Sequence, residues 1–380
     1  MDFNTTDEQT MLRDTVARYL ADTYSFDNRM KTVHAVANGG SGWNPAVWKA
    51  FAEELGILGA PFAEAHGGLG GGAIENMIVM EEIGRALVIE PYLPTVVIAG
   101  GALKATGGAL ADAVIPEIIA GNAIIAFAYA EPQGRYDLAD LRTTAKKDGA
   151  GYLLSGHKSV VYSAQYATHL LVTARSGGSQ RDAGGVSLFL IPANAKGVTR
   201  RDYPTVDGSV ASEVYFENVA VGADMMIGGE GTALPLVEQI VDEAIAAVCA
   251  EACGVTRVLH ATTLDYAKQR KQFGKAISEF QVLQHRLVDM FMEVEQAVSI
   301  TLMATLKLDG PDRSSAVSAA KSKVGKACKF VGQNAVQIHG GIGISNELAV
   351  GHYFKRSTMI ESQFGSVDHH LRRYERLTID

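Results

Sequence analysis

Cysteine is scarce in this chain of 380 residues: Cys249, Cys253 and Cys328 are too few for a disulfide framework. Cys249 and Cys253 lie four apart in an alanine-rich helical stretch and share one face. With no histidine at zinc spacing beside them, they read as small buried residues. Positive charge is not in surplus either. Against 42 Asp plus Glu stand 34 Lys plus Arg, a net charge of −8. A nucleic-acid surface needs a basic stripe, and this balance argues against one. A small anionic ligand stays open, because local patches decide that. No apolar run reaches the roughly 20 residues of a membrane span. The first capped helix follows Met1-Asp2-Phe3 almost directly, so no signal peptide is expected. There is no internal repeat and no low-complexity tail. The expectation is a soluble, reduced, cytoplasmic protein without nucleic-acid, membrane or metal partners, long enough for two or three domains.

What is present falls into three segments with different periods. Residues 1–122 read as helical. Thr6 with Gln9 makes a capping box, and Leu12, Val16 and Leu20 recur on one face. A second helix runs about Ala46 to Leu55, and a third about Ala73 to Leu87. The glycine run Gly67–Gly72 opens that third helix. Without a preceding strand or a following Lys-Ser/Thr it reads as a loop and not as a phosphate cradle. Residues 123–228 change to short β-like runs at Ile124–Tyr129, Gly151–Leu154, Ser159–Tyr162, Leu170–Ala174, Val186–Ile191 and Glu213–Phe216, parted by Gly-rich turns. That spacing predicts an antiparallel barrel or sandwich. Over 229–380 the helical period returns. Phe280, Leu283, Leu287, Met290, Val294, Ala297 and Thr301 keep three-and-four spacing, which suits a four-helix bundle that also packs against copies of itself. The class is α+β, in the order helical, β, helical.

Two motifs in the last segment carry a family resemblance. The first runs Tyr266-Ala-Lys-Gln-Arg270-Lys-Gln272-Phe273-Gly274 and on through Ile277 and Phe280 to Gln281. The second is Gln337-Ile-His-Gly340-Gly341-Ile-Gly343. Together they resemble the signatures of the acyl-CoA dehydrogenases, whose domain order is also helical, β, helical. The resemblance implies FAD as cofactor and dehydrogenation of a CoA thioester between its α and β carbons. It further implies tetramers of like or unlike chains, electron-transfer flavoprotein as electron acceptor, and in some relatives dicarboxylic or steroid-derived substrates. It assigns Arg270 to the FAD pyrophosphate of a neighbouring subunit, a role that suits a permanently charged fork. Gln337, Gly340 and Gly341 match the loop on the adenosine side. Gln272, Phe273, Gln281 and Ser366 complete the expected cofactor set.

The departures are as informative. The family's glutamate base stands in a Glu-Gly-Thr string, and the matching positions here are Phe364-Gly365-Ser366. A phenylalanine cannot take the α-proton. Some relatives carry the base one helix earlier, at the position matching Ala244. Glu243 is the stand-in candidate, but one residue of helix turns a side chain by about 100°. A helix-surface carboxylate beside Asp242 is the alternative. Glu361 and Asp368 fall out of register. The family's Thr-Glu-Pro-x-x-Gly-Ser-Asp loop becomes Ala130-Glu131-Pro132-Gln133-Gly134-Arg135-Tyr136-Asp137, and its flavin-side aromatic and hydroxyl become Val160 and Tyr162. Arg135 and Lys158 are candidates to meet a distal substrate carboxylate, with solvent exposure as the plainer expectation. Asp368-His369-His370 is not a metal site, because adjacent helical side chains diverge. The chain keeps the nucleotide-side set and loses much of the ring-side set. A subunit without the usual base, inside a heteromeric enzyme, is the expectation. A self-sufficient enzyme with a relocated base and a flavin-free acyl-CoA-binding or assembly subunit remain the alternatives.

Overall fold

The computed structural model describes residues 5–36 and 40–379. Met1-Asp2-Phe3 therefore lies outside the described residues. In chain order the helices of the first segment are α1 (Asp7–Thr23), α2 (Phe26–Val36), α3 (Pro45–Glu53), α4 (Ala73–Ala86), α5 (Gly100–Thr106) and α6 (Gly108–Ile119). The middle segment carries β1 (Ile125–Ala128), β2 (Thr144–Asp148), β3 (Gly151–Tyr162), β4 (His169–Arg175), β5 (Val186–Pro192), β6 (Val198–Pro204), β7 (Val210–Gly222) and β8 (Met226–Ile227). The last holds α7 (Leu234–Gln269), the short strands β9 (Lys271–Gln272) and β10 (Lys275–Ala276), α8 (Gln281–Leu306), α9 (Arg313–His339), α10 (Ala349–Ser362) and α11 (Val367–Ile379).

These elements gather into two compact units. One combines 1–31, 73–88 and 245–380, and the other combines 32–72 and 89–244. In the first unit, α1 starts as its sequence demands. Thr6 Oγ1 accepts the Gln9 N–H at 3.2 Å, and Gln9 Oε1 accepts the Thr6 N–H at 3.1 Å. Helix α9 packs on α8, α10 and α11. The expected stripe on α8 is there, with Leu287, Met290, Val294, Ala297 and Thr301 buried. Cys249, Cys253 and Cys328 are buried free thiols, and burial pushes Cys253 and Cys328 up to about 12. Arg356 on α10 grips Glu251 of α7 with two bonds of 2.6 and 2.7 Å. By length and apolar composition α7 qualifies as a membrane span, which the sequence reading did not anticipate because Asp242, Glu243 and Glu251 interrupt its apolar run. Its apolar window is 78% buried inside the protein, as in a core helix.

The second unit is built on one eight-stranded sheet in the order β6-β7-β3-β2-β4-β5-β8, with β1 also paired to β4. The sheet is mixed and not antiparallel throughout: β1 and β2 both pair with β4 in parallel. Strand β5 is buried residue after residue from Val186 to Ile191, so it reads as a continuous apolar run. The two runs expected at 151–154 and 159–162 form one strand, β3. Its pairing with β7 is broken by register shifts at Leu154/Gly156 and Lys158/Val161. The second shift is a bulge that changes where residues 158–162 point.

Candidate functional site

In the first unit the arginine motif sits where α7 ends. The Arg270 N–H donates to the Tyr266 carbonyl at 2.9 Å, and β9 and β10 follow as a two-residue hairpin. Its tip residues Phe273 and Gly274 have φ of 52° and 84°, the doubly positive pattern of a type I′ turn. Phe273 is 93% exposed, an unusual cost for a large apolar ring. Arg270 is exposed and has no ion pair among the described residues. Gln272 is exposed, its amide turned back on the Lys271 carbonyl at 2.8 Å. Gln281 opens α8, also exposed.

The second motif ends α9. Gln337, Gly340 and Gly341 are exposed. Gly340 has φ 68°, so glycine is needed there to stop the helix. At Gly341 φ is not in the left-handed region, and an added Cβ would meet nothing within 4 Å. Nothing inside this chain explains why that position is glycine. The two motifs meet at Tyr266 and His339: their rings stack at 4.3 Å between centroids, 24° apart, and the Tyr266 hydroxyl donates to the His339 carbonyl at 3.4 Å.

Phe364 and Ser366 belong to the turn between α10 and α11. Phe364 has φ 57°, and its carbonyl accepts from His370 Nε2 at 3.1 Å. Lys321, buried on α9, donates to the carbonyls of Ile360, Glu361 and Gly365 at 2.9, 2.8 and 2.8 Å. A Cβ on Gly365 would lie 2.4 Å from His370 Nε2. Burial and then the Lys321 ammonium push His370 down to about 3, so its imidazole stays neutral. Ser366 Oγ accepts the His369 N–H at 3.4 Å and Glu361 Oε1 accepts the Val367 N–H at 3.0 Å, both at the start of α11. Ser366 thus works at a helix end, on a different turn from Arg270. His370 faces the turn through Nε2, and no group of three or more possible metal ligands gathers among the described residues.

In the second unit the loop before β2 is tied to β3 by one ion pair. Glu131 Oε1 and Lys158 Nζ are 2.8 Å apart, and Lys158 has no exposed side-chain surface. Lys158 also donates to the Tyr129 carbonyl at 3.2 Å and Thr173 Oγ1 at 3.0 Å. Glu131 further accepts the N–H groups of Arg142 and Thr143 at 2.7 and 3.1 Å. Burial alone would raise Glu131, but Lys158, the Gln133 amide and the Arg142 N–H hold it at about 2. Lys158 is therefore neither solvent-exposed nor available to a substrate carboxylate. Its strand position points inward, and a buried ammonium must be paired. Arg135 is exposed as expected, with φ 50°. Val160 is exposed in the bulge at φ 52°, an outlier for a β-branched residue. The Tyr129 ring stacks on Phe127 at 4.7 Å, and burial followed by Tyr162 and Tyr136 raises its phenol. Glu243 is half-buried. Its Oε1 accepts from Gln239 at 3.1 Å, and its Oε2 occupies the space a Cβ on Gly101 would need. Ala244, at the register position, is fully buried.

Three family models match the chain: the acyl-CoA dehydrogenase N-terminal domain over residues 6–122, its middle domain over 126–219 and its C-terminal domain over 234–376. The chain belongs to the acyl-CoA dehydrogenase family. The probable acyl-CoA dehydrogenase YngJ of Bacillus subtilis is 29% identical over 368 residues, covering 95% of each chain. The caffeyl-CoA reductase–Etf complex subunit CarC of Acetobacterium woodii is 28% identical over 309 residues, 80% of this chain and 81% of that one. Among solved structures, a variant of the Tcur3481–Tcur3483 steroid ACAD superposes with a TM-score of 0.87 at 28% identity, covering 98% of both chains.

Acyl-CoA dehydrogenases are FAD-dependent oxidoreductases acting on CH–CH bonds. Two observations fit a nucleotide on this chain: the unpaired Arg270, and the open space over Gly341 that its own packing does not require. Sequence reasoning missed the residues that brace these groups. Tyr266 was visible as the residue one helical turn before Arg270, and His339 as the residue between Ile338 and Gly340. Lys321 gave no local signal and His370 was weighed only as a metal ligand, because the partners of both are backbone carbonyls brought in by the fold.

Proposed function

We propose that this chain is the half of a heteromeric acyl-CoA dehydrogenase that lends nucleotide contacts and contributes no base. Phe364 carries the reading. Its turn is anchored by Lys321 and His370, yet it presents a side chain that cannot accept a proton. The unlike partner then supplies the carboxylate that removes the α-proton of the thioester. FAD, when bound, supplies the hydride acceptor. Arg270, with Gln272, Phe273, Gln281, Gln337, Gly340 and Gly341, holds the diphosphate and adenosine end. On the ring side Ala130, Tyr136, Val160 and Tyr162 stand where the resemblance expects small hydroxyl side chains and an aromatic neighbour, which favours flavin held mainly by the partner.

Further features support the finer assignment. The stretches Phe62–Gly72 and Arg85–Leu93 resemble the small subunit of pimeloyl-CoA dehydrogenase, which suggests a dicarboxylic or steroid-derived CoA thioester. The similarity to a steroid enzyme of two named chains points the same way. The similarity to an Etf-complex subunit supports electron-transfer flavoprotein as the acceptor. Helix α8 exposes Val282, Val288, Phe291 and Met292, which favours a tetramer, here of unlike chains in the cytoplasm. The test is FAD stoichiometry and bleaching by a panel of acyl-CoA thioesters, on the chain alone and with whatever chain co-purifies from its host. A colourless lone chain and a complex with about one FAD per two chains are expected. A yellow lone chain that bleaches would overturn the reading, and Glu243→Gln would then be tested as the relocated base.

A further inference from the structure

We propose that Tyr266 and His339 are positioning residues that hold the Arg270 hairpin and the Gly340–Gly341 turn at one fixed spacing, so that both address the same nucleotide, its diphosphate and its adenosine. The inference rests on the reading above that the nucleotide end of FAD lies against this chain. The two motifs hang from different helices, and Tyr266 and His339 are 73 residues apart. Each partner of the stack is itself fixed to the group it positions.

On the arginine side, the Tyr266 carbonyl accepts the Arg270 N–H at 2.9 Å, so ring and guanidinium stem leave the same helical turn. The Ile277 N–H returns to the Arg270 carbonyl at 2.8 Å and closes the hairpin on that point. On the glycine side, His339 is buried and bonds through Nδ1 to the Ala335 carbonyl at 2.8 Å, which sets its ring plane. Burial keeps it neutral by lowering its pKa. The next residue is Gly340, and the turn passes back beneath the histidine at Gly343, where a Cβ would lie 2.9 Å from the His339 Cβ. Across the gap the two rings stack, and the Tyr266 hydroxyl donates to the His339 carbonyl at 3.4 Å.

A packing role alone would tie buried segments together. Here the stack stiffens Arg270, Gly340 and Gly341, all of them exposed. An aliphatic pair would fill the same volume without fixing orientation. A face-to-face pair anchored at both ends limits sliding, which is what two arms converging on one ligand need.

The test uses the complete flavin-bearing oligomer, deflavinated and titrated with FAD and with ADP. Tyr266→Leu and His339→Ala should each weaken both ligands about tenfold, with the midpoint of thermal unfolding of the ligand-free protein little changed. Tyr266→Phe keeps the stack and should bind within about twofold of wild type. FAD and ADP affinities in Tyr266→Leu and His339→Ala equal to wild type, while Arg270→Ala loses them, would overturn the positioning role alone. Equal affinities in Arg270→Ala as well would instead sink the reading that places FAD here.

Discussion

Among the described residues seven other than glycine have positive φ, and four of them are Arg135, Val160, Phe273 and Phe364. Each such position costs on the order of 1–3 kcal/mol unless its surroundings impose it. At Phe364 the surroundings are visible: the carbonyls of residues 360, 361, 364 and 365 are all held by Lys321 and His370. Lys321→Met would leave three carbonyls without their donor, and a loss of roughly 3 kcal/mol in urea unfolding is expected. His370 gives a pH signature. Its imidazole titrates near 6.5 when unfolded and about 3 when folded. The unfolded chain therefore binds the extra proton between these values. The contribution to stability is complete above pH 6.5 and is lost as pH falls toward 3, with a slope of at most about 1.4 kcal/mol per pH unit. Unfolding free energies measured from pH 7 to 4 should show that slope in wild type and lose it in His370→Gln.

At the scale of elements, the two glycines of the α9 turn separate structural from ligand demands. Gly340→Ala must place a side chain at φ 68° and should cost about 1 kcal/mol. Gly341→Ala meets open space and should leave stability within about 0.5 kcal/mol. Flavin content of the assembled protein should nevertheless fall in Gly341→Ala if a nucleotide approaches that backbone. Unchanged flavin content would show that the space over Gly341 serves nothing. Helices and apolar strands were legible from periodicity alone: the α1 cap, the α8 stripe and the β5 run each follow from residues next to one another. Strands β2 and β6 were not. Thr144–Asp148 and Val198–Pro204 are dominated by polar residues, and they are strands only because β3 and β7 offer them ladders. The motif spacing also marked two helix ends, since α7 stops just before Arg270 and α9 just before Gly340. The Glu131–Lys158 pair was not, since a lysine in a polar stretch gives no sign that the sheet will bury it.

For the whole molecule, the decisive question is whether the losses on this chain are made good by another. In the proposed heteromer, Arg270 acts in trans: it belongs to one chain and serves flavin whose base lies on the other. Arg270→Ala in this chain should then lower FAD content and total turnover together. Turnover per remaining FAD should stay near wild type, because the partner's base is untouched. Phe364→Glu should add no activity, since in the proposed heteromer the flavin ring and the working base lie on the partner. A self-sufficient homomer behaves oppositely in one respect. There a new carboxylate at 364 would join a flavin already bound nearby, and acyl-CoA turnover by the lone chain would rise. Measuring FAD content and turnover for both variants separates the cases, and an active lone Phe364→Glu chain would place a complete flavin site on this subunit.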